Sequence, residues 1–313
     1  MSEGRSCPLA YRYRPEQICA EPEAVSTDVL YVIGGLYGNM AALDAIDAMA
    51  DSERAAGRSV SLVFNGDFNW FNASPEQLLE VNERVLAHRA MLGNVEYEIA
   101  NAVAGAGCGC AYPDSVDQGV VDRSNRIMSK LQVAARDLDA LRDQLRNLPR
   151  WRCLVFGGLK IAVLHGDPES LAGWGLSRES LLTDEGQAQL HQWLAAMDAD
   201  AILCSHTCLP LLWQADVAGR LRTVINNGSA GMGNLQADPR GLMIRLSHSP
   251  DQAAIESLNH AGVSLSLQPV EFDQASWINN FDQLWPPGSE AAVSYRERIR
   301  TGTNLPCGEL RIR

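Results

Sequence analysis

The sequence predicts an α/β protein in which two β-sheets pack face to face with helices outside them, a four-layer αββα sandwich with a helical insertion. Three observations predict it. The first third of the chain alternates short β-branched runs with segments of helical period. The second half is dominated by strand-like runs with one clear helix among them. Between the two lies a charged stretch, from about Asp114 to Leu148, that is almost free of glycine.

DVLYVIGG (Asp28 to Gly35) is an apolar run closed by glycines, and Met40, Leu43, Ile46 and Met49 follow at helical spacing up to Gly57. SVSLVFNGD (Ser59 to Asp67) is a second strand ending in a Gly-Asp turn. Ser74, Pro75 and Gln77 read as N-cap, N1 proline and capping-box residue of a helix reaching about Arg89. Ala90 to Asn94 reads as a third, shorter strand running into a loop. In the charged stretch, Ile127, Leu131, Ala135, Leu138, Leu141 and Leu145 trace one apolar stripe, predicting a long helix or a helix pair that ends at Pro149. Its Arg123, Arg126 and Lys130 either face a phosphate or belong to a solvated face.

Later strands are read in RCLVFGG, LKIAVLHGD, DAILCSH, LRTVINNGS, GLMIRLS and VSLSLQPVEF, with a helix from Asp184 to Met197. The last segment, with Trp277, Phe281, Trp285 and Tyr295 among polar residues, is expected to wrap the body. The organisation expected is a leader (1–27), one domain (28–272) with the helical insertion at about 114–149, and a tail (273–313) packed on that domain.

Composition narrows the function classes. The chain has 313 residues, 46% of them hydrophobic, which is too apolar for disorder and ample for a buried core. Its formal net charge of −12 argues against nucleic acid or an anionic membrane surface as partner. No run approaches the roughly 18 apolar residues of a membrane span, and the Arg-punctuated N-terminus does not read as a signal peptide. A soluble cytoplasmic protein is expected. Eight cysteines in a chain of this length do not make a disulfide scaffold. Cys7, Cys19, Cys153 and Cys307 read as scattered thiols, Cys108 and Cys110 form a C-x-C, and Cys204 and Cys208 flank a histidine.

Asp67, Asn94, His165 and His206 are the informative polar residues, because each closes an apolar strand-like run: VFNGD, MLGN, AVLHGD and AILCSH. Strand ends converge on one rim of an α/β sheet, where ligands bind. Two imidazoles, a carboxylate and an amide oxygen brought together there would suit one borderline divalent cation. Each residue alone is as readily a capped turn or a satisfied core histidine; the shared context is what carries the reading.

The order and the local words resemble the calcineurin-like metallophosphoesterase superfamily, particularly its small bacterial members. The family pattern is D-x-H, then G-D, then G-N-H, then a lone H, then G-H-x-H. Here the corresponding words are Gly35-Leu36-Tyr37-Gly38-Asn39, Gly66-Asp67, Gly93-Asn94-Val95-Glu96, His165-Gly166-Asp167 and Ser205-His206-Thr207-Cys208. INNGSAGM (Ile225 to Met232) resembles the turn after the last motif. The resemblance spans about Asp28 to Ser247 and implies that the two sheets are mixed. It also implies a phosphomonoester or phosphodiester as substrate.

Departures from the pattern sort by metal position. Of the ligands the family uses at one position, three are replaced here, as Gly35, Tyr37 and Cys208, and only the bridging Asp67 stays. At the other, all four are present: Asp67, Asn94, His165 and His206. Independent decay would not divide so cleanly, so the resemblance implies one retained divalent transition metal (Mn, Fe or Zn). The histidine that assists the leaving group is replaced by Val95, which cannot donate a proton. Asp67 and His165 are then the expected catalytic residues, with Glu96, Asp167 or Cys208 as a substitute acid. Tyr37, Cys208, Cys108 and Cys110 are possible additional ligands.

Three functions follow as alternatives. The first is a hydrolase acting on a small phosphorylated substrate, with one metal. The second is an inactive relative that binds a phosphorylated ligand or a protein partner. The third is a thiolate-rich or redox centre built from Tyr37 and the cysteines.

Overall fold

A computed structural model describes residues 3–5, 7–102 and 105–312; residues 1, 2, 6, 103, 104 and 313, which the leader, the approach to the C-x-C and the tail include, lie outside the described residues. The chain begins with a one-turn helix α1 (Pro15–Ile18) and a short strand β1 (Glu23–Ala24). The first βα units follow as β2 (Val29–Ile33), α2 (Met40–Ala55), β3 (Val60–Phe64) and α3 (Pro75–Val85). Both helices start where side chains cap them: Asn39 accepts the Ala42 N–H, and Ser74 accepts that of Gln77.

Next come β4 (Arg89–Ala90) and α4 (Asn94–Asn101). This corrects the reading of Ala90 to Asn94 as a strand: pairing stops at Ala90, and Asn94 opens a helix whose N-terminus is gathered by the Glu96 side chain. The charged stretch is a helix pair, α5 (Gln118–Ala134) and α6 (Asp139–Arg146). Then follow β5 (Trp151–Phe156), β6 (Leu159–Leu164), α7 (Arg178–Leu181), α8 (Asp184–Met197) and β7 (Ala201–Cys204). The remaining strands are β8 (Leu211–Val217), β9 (Arg220–Asn226), β10 (Gly241–Ser247), β11 (Glu256–His260) and β12 (Val263–Val270). The tail forms α9 (Gln274–Leu284), α10 (Glu290–Thr301) and β13 (Arg311–Ile312).

Two mixed sheets result, one of seven strands in the order β1-β5-β6-β7-β9-β8-β13 and one of six in the order β11-β12-β10-β2-β3-β4. Alternation along the strands divides the apolar side chains among three layers. Leu30, Val32 and Val63 face Ile161, Val163 and Leu203 between the sheets. Val29, Tyr31 and Ile33 turn outward onto α2, α3 and the tail aromatics. Leu164, Ile202 and Val224 turn the other way onto Leu190, Trp193 and the leader's Tyr11 and Ile18. Three apolar interfaces separate four layers, which is the αββα sandwich the sequence predicts.

Leader, insertion and tail are built into this body. Leader strand β1 pairs with β5, and Tyr11 and Tyr13 are buried, their hydroxyls donating to Glu98 Oε1 at 2.7 Å and to the Asp167 carbonyl at 2.8 Å. Of the basic residues of α5, Arg126 and Lys130 are exposed, as a solvated face would have them, Arg123 is half-buried, and all three reach the tail. Arg123 donates to Ser294 Oγ (2.7 Å), Arg126 pairs with Glu290 (3.2 Å), and Lys130 Nζ sits 4.4 Å from the Trp285 ring centre. They hold the tail against the insertion. No helix among the described residues is long and apolar enough to cross a membrane.

Candidate metal centre

The parallel strands β2, β3 and β4 of one sheet and β6, β7 and β9 of the other end at the same rim. Asp67 lies three residues beyond β3, Asn94 opens α4, and His165 and His206 follow β6 and β7. Asp67 has φ 55°, a left-handed conformation uncommon for a residue with a Cβ, and this turns its carboxylate back over the rim. Gly93 must lack a side chain, because a Cβ there would stand 2.3 Å from Asp67 Oδ1.

The four residues meet around His165 Nε2. Asn94 Oδ1 and His206 Nδ1 are each 3.1 Å from it, and Asp67 Oδ1 is at 3.3 Å. All four side chains are buried. In a tetrahedral shell with bonds of about 2.0–2.1 Å, neighbouring donor atoms stand about 3.3–3.4 Å apart. The separations around His165 Nε2 are of that size.

Hydrogen bonds behind the donors decide which atoms face inward. His165 Nδ1 is 3.0 Å from the Asn65 carbonyl, and His206 Nε2 is 3.0 Å from the Cys110 carbonyl. A carbonyl only accepts, so each ring carries its proton on that outer nitrogen and presents a bare lone pair to the centre. Asn94 Nδ2 donates to the Cys108 carbonyl at 3.0 Å, which leaves Oδ1 as its inward atom. With both rings neutral, four lone pairs converge, one belonging to a carboxylate, an arrangement that suits a cation. Burial pushes the His165 imidazole down, but the adjoining Asp67 carboxylate outweighs it and the net shift is upward. Burial, with His165 alongside, pushes His206 down to about 4. Burial would raise the Asp67 carboxyl, yet the two histidines and the Val95 N–H hold it below its usual range.

The other expected site residues fall into three groups. Tyr37 and Cys208 line the same cavity, but they are joined to each other, hydroxyl to sulfur at 2.7 Å. Cys110 also lines it, and what reaches the donors from this loop is two backbone carbonyls and, at 3.6 Å from the Asn94 amide, the Cys110 sulfur. Among the described residues only Asp67, His165 and His206 form a group of potential ligands within 4.8 Å of one another, so no cysteine sulfur joins it. Glu96 is fully buried. Its carboxylate accepts N–H groups from Asp67 (2.7 Å), Phe68 (3.0 Å), Asn69 (3.2 Å) and Gly93 (3.1 Å), plus the Asn69 amide (3.2 Å). A fully buried carboxylate so occupied shapes the Asp67 loop and does not front the cavity. Asp167 is likewise spent on the N–H groups of Glu169, Ser170 and Gly175.

Sequence reasoning missed the far wall of the cavity. Trp70, Tyr112 and Trp174 line it, as do Tyr295 and Arg298 from α10. The aromatic residues of the tail were the available signal, though nothing in their spacing says where the tail docks.

Two packed mixed sheets with outer helices, gathering an aspartate, an asparagine and two histidines at one rim, make up the calcineurin-like metallophosphoesterase fold. Among solved structures, the chain is similar to a metallophosphoesterase from Sphaerobacter thermophilus, at 17% identity over 88% of this chain and 100% of that one, with a TM-score of 0.53. It is also similar to a hypothetical protein from Pyrococcus horikoshii, at 15% identity over 88% and 99% of the two chains, with a TM-score of 0.57. No family model and no curated protein matches the sequence. At these identities the likeness establishes the fold.

Proposed function

We propose that the chain is a hydrolase of small phosphoesters that works with one divalent transition ion, Mn, Fe or Zn, held by Asp67, Asn94, His165 and His206. The observation that carries this is the convergence of four donor atoms, three of them turned inward by the carbonyls of Asn65, Cys108 and Cys110. A cation bound there lowers the pKa of a bound water and polarises a phosphoryl oxygen. The chain's own residues do the rest. Asp67 supplies the negative charge of the centre, Glu96 fixes the loop that carries Asp67, and the Tyr37–Cys208 pair stands at the family's second metal position. Val95 faces the cavity without a proton to give, so the substrate must carry a leaving group that departs unassisted.

The replacements at Val95 and Tyr37 favour a second reading, a binding protein that keeps the ion and a phosphorylated ligand without turnover. Elemental analysis of the purified protein and of Asp67→Ala and His165→Ala, with assays on an activated aryl phosphate and a bis-aryl phosphodiester, separates the readings. One equivalent of metal, lost in both variants, with turnover removed by a chelator, is the expected result. Unchanged metal content in both variants overturns the ligand set. Bound metal without turnover on either ester under Mn, Fe or Zn selects the binding protein.

A further inference from the structure

We propose, resting on that reading of the site, that the ligand is an aryl phosphate, its one aromatic ring held by the cavity walls and its phosphoryl group met by Arg298 of the C-terminal helix α10. The cavity over the donor cluster has a volume of about 160 Å³. An apolar cavity of roughly 150 Å³ is known to hold benzene, so this one, which also opens to solvent, has room for a single ring.

Its walls are ring faces and edges. Tyr37, Trp70, Tyr112, Trp174 and Tyr295 all line it. Their polar ends are largely spoken for: the Trp174 N–H donates to the Cys110 carbonyl at 2.9 Å, Tyr112 Oη pairs with Ser124 Oγ at 3.1 Å, and Tyr37 is tied to Cys208. Trp70 meets Tyr295 edge to face, with ring centres 6.3 Å apart. Rings fixed in this way lose little freedom when a ligand enters, and aromatic partners prefer such offset and edge contacts. A sugar or polyphosphate tail would find few free hydrogen-bonding groups on these walls.

Arg298 is the lining residue with a fixed positive charge. Its Nε donates to the Gly233 carbonyl at 2.9 Å, and one terminal nitrogen donates to the Cys208 carbonyl at 2.6 Å and Asn234 Oδ1 at 3.2 Å. The other terminal nitrogen has no partner among the described residues, and a guanidinium fork held in this way suits a phosphoryl group. Tyr295 and Arg298 are three residues apart and so share one face of α10. A phenol, with a pKa of about 10, is also the kind of leaving group that a site with Val95 in place of an acid requires.

Non-hydrolysable ligands test recognition apart from turnover. The metal-loaded full chain is titrated calorimetrically with phenylphosphonate and methylphosphonate. Phenylphosphonate is expected to bind about tenfold tighter or more, the least that burying a ring supplies. Trp70→Leu, and independently Tyr295→Leu, should erase that preference while methylphosphonate affinity stays within about twofold, which also reports an intact fold. Arg298→Gln should weaken both ligands about tenfold, as loss of a charge-assisted contact does, and keep the preference. Equal affinities for the two phosphonates, or no binding of either, overturn the proposal; an Arg298→Gln variant that binds both as before overturns the role of Arg298. A clear preference in a protein without turnover keeps this inference and removes the hydrolase reading instead.

Discussion

A Cβ built on Gly35 would stand 2.9 Å from Cζ of Tyr37. The tyrosine ring fills the space that a side chain at position 35 would enter, so Gly35 and Tyr37 are sterically coupled. Gly35 also has φ 63°, which strains any other residue there by about 1–3 kcal/mol. Gly35→Asp alone is therefore expected to destabilise the protein and leave its metal content unchanged. Gly35→Asp combined with Tyr37→His and Cys208→His should bind one further equivalent. Elemental analysis decides, and a second equivalent in the single variant would contradict the packing argument.

Glu96 gives a prediction opposite to that for a catalytic acid. Its two oxygens accept five N–H groups in a region closed to solvent. Glutamine keeps the shape but turns one acceptor into a donor, leaving buried N–H groups facing an NH₂. Glu96→Gln should cost about 2–4 kcal/mol, read as a lower denaturant midpoint, with a matching loss of metal affinity. A variant of unchanged stability but lost turnover would return Glu96 to the chemistry.

How much of this was legible in the sequence depended on whether the information was local. Asp67, Asn94, His165 and His206 could be found because each ends an apolar run, and a strand end fixes the rim. The helix starting at Asn94 was not found, since AMLGN is as apolar as a strand and pairing stops at Ala90 for lack of a longer partner segment. β11 reads ESLNH, an edge strand with polar residues along it and no apolar run to reveal it. Tyr295 and Arg298 reach the cavity only because α10 docks on α5, through contacts such as Arg123 to Ser294, 171 residues apart in sequence. Three of the four donors of the candidate centre are oriented by backbone carbonyls, which no residue identity encodes.

A buried ion pair far from the rim links stability to pH. Glu53 of α2 is 5% exposed and accepts from Arg245 Nε at 2.9 Å, from Arg58 and from the Tyr31 hydroxyl at 3.3 Å. Burial pushes its carboxyl up, but the two guanidinium groups outweigh that and hold it below its usual range. The folded protein thus gives up this proton more readily than the unfolded chain does. Its contribution is complete above about pH 4.3, the ordinary glutamate value, and is lost as pH falls through the lower folded value. Glu53→Gln should cost about 3 kcal/mol at neutral pH, and the gap from wild type should narrow on acidification below pH ~4. Urea unfolding at several pH values measures this, and a gap that stays constant would show that the charge of Glu53 is not what stabilises.

The C-x-C loop separates backbone from side chain at the candidate metal centre. Carbonyls of Cys108 and Cys110 orient Asn94 and His206, while the Cys110 sulfur accepts from the Asn94 amide at 3.6 Å and donates to the Cys108 carbonyl at 3.7 Å. If the carbonyls matter, Cys110→Ala should keep metal affinity within about twofold, and the Cys108→Ala/Cys110→Ala double variant should still load. Gly109, between them, has φ 69°, and a Cβ there would lie 2.1 Å from the Tyr11 hydroxyl. Gly109→Ala must therefore shift the loop and both carbonyls with it. Loss of an outer-layer partner typically costs about 10- to 100-fold in metal affinity, and that is the loss expected of Gly109→Ala in a competitive chelator titration. The reverse pattern, a large loss in Cys110→Ala and none in Gly109→Ala, would make the thiol a ligand after all.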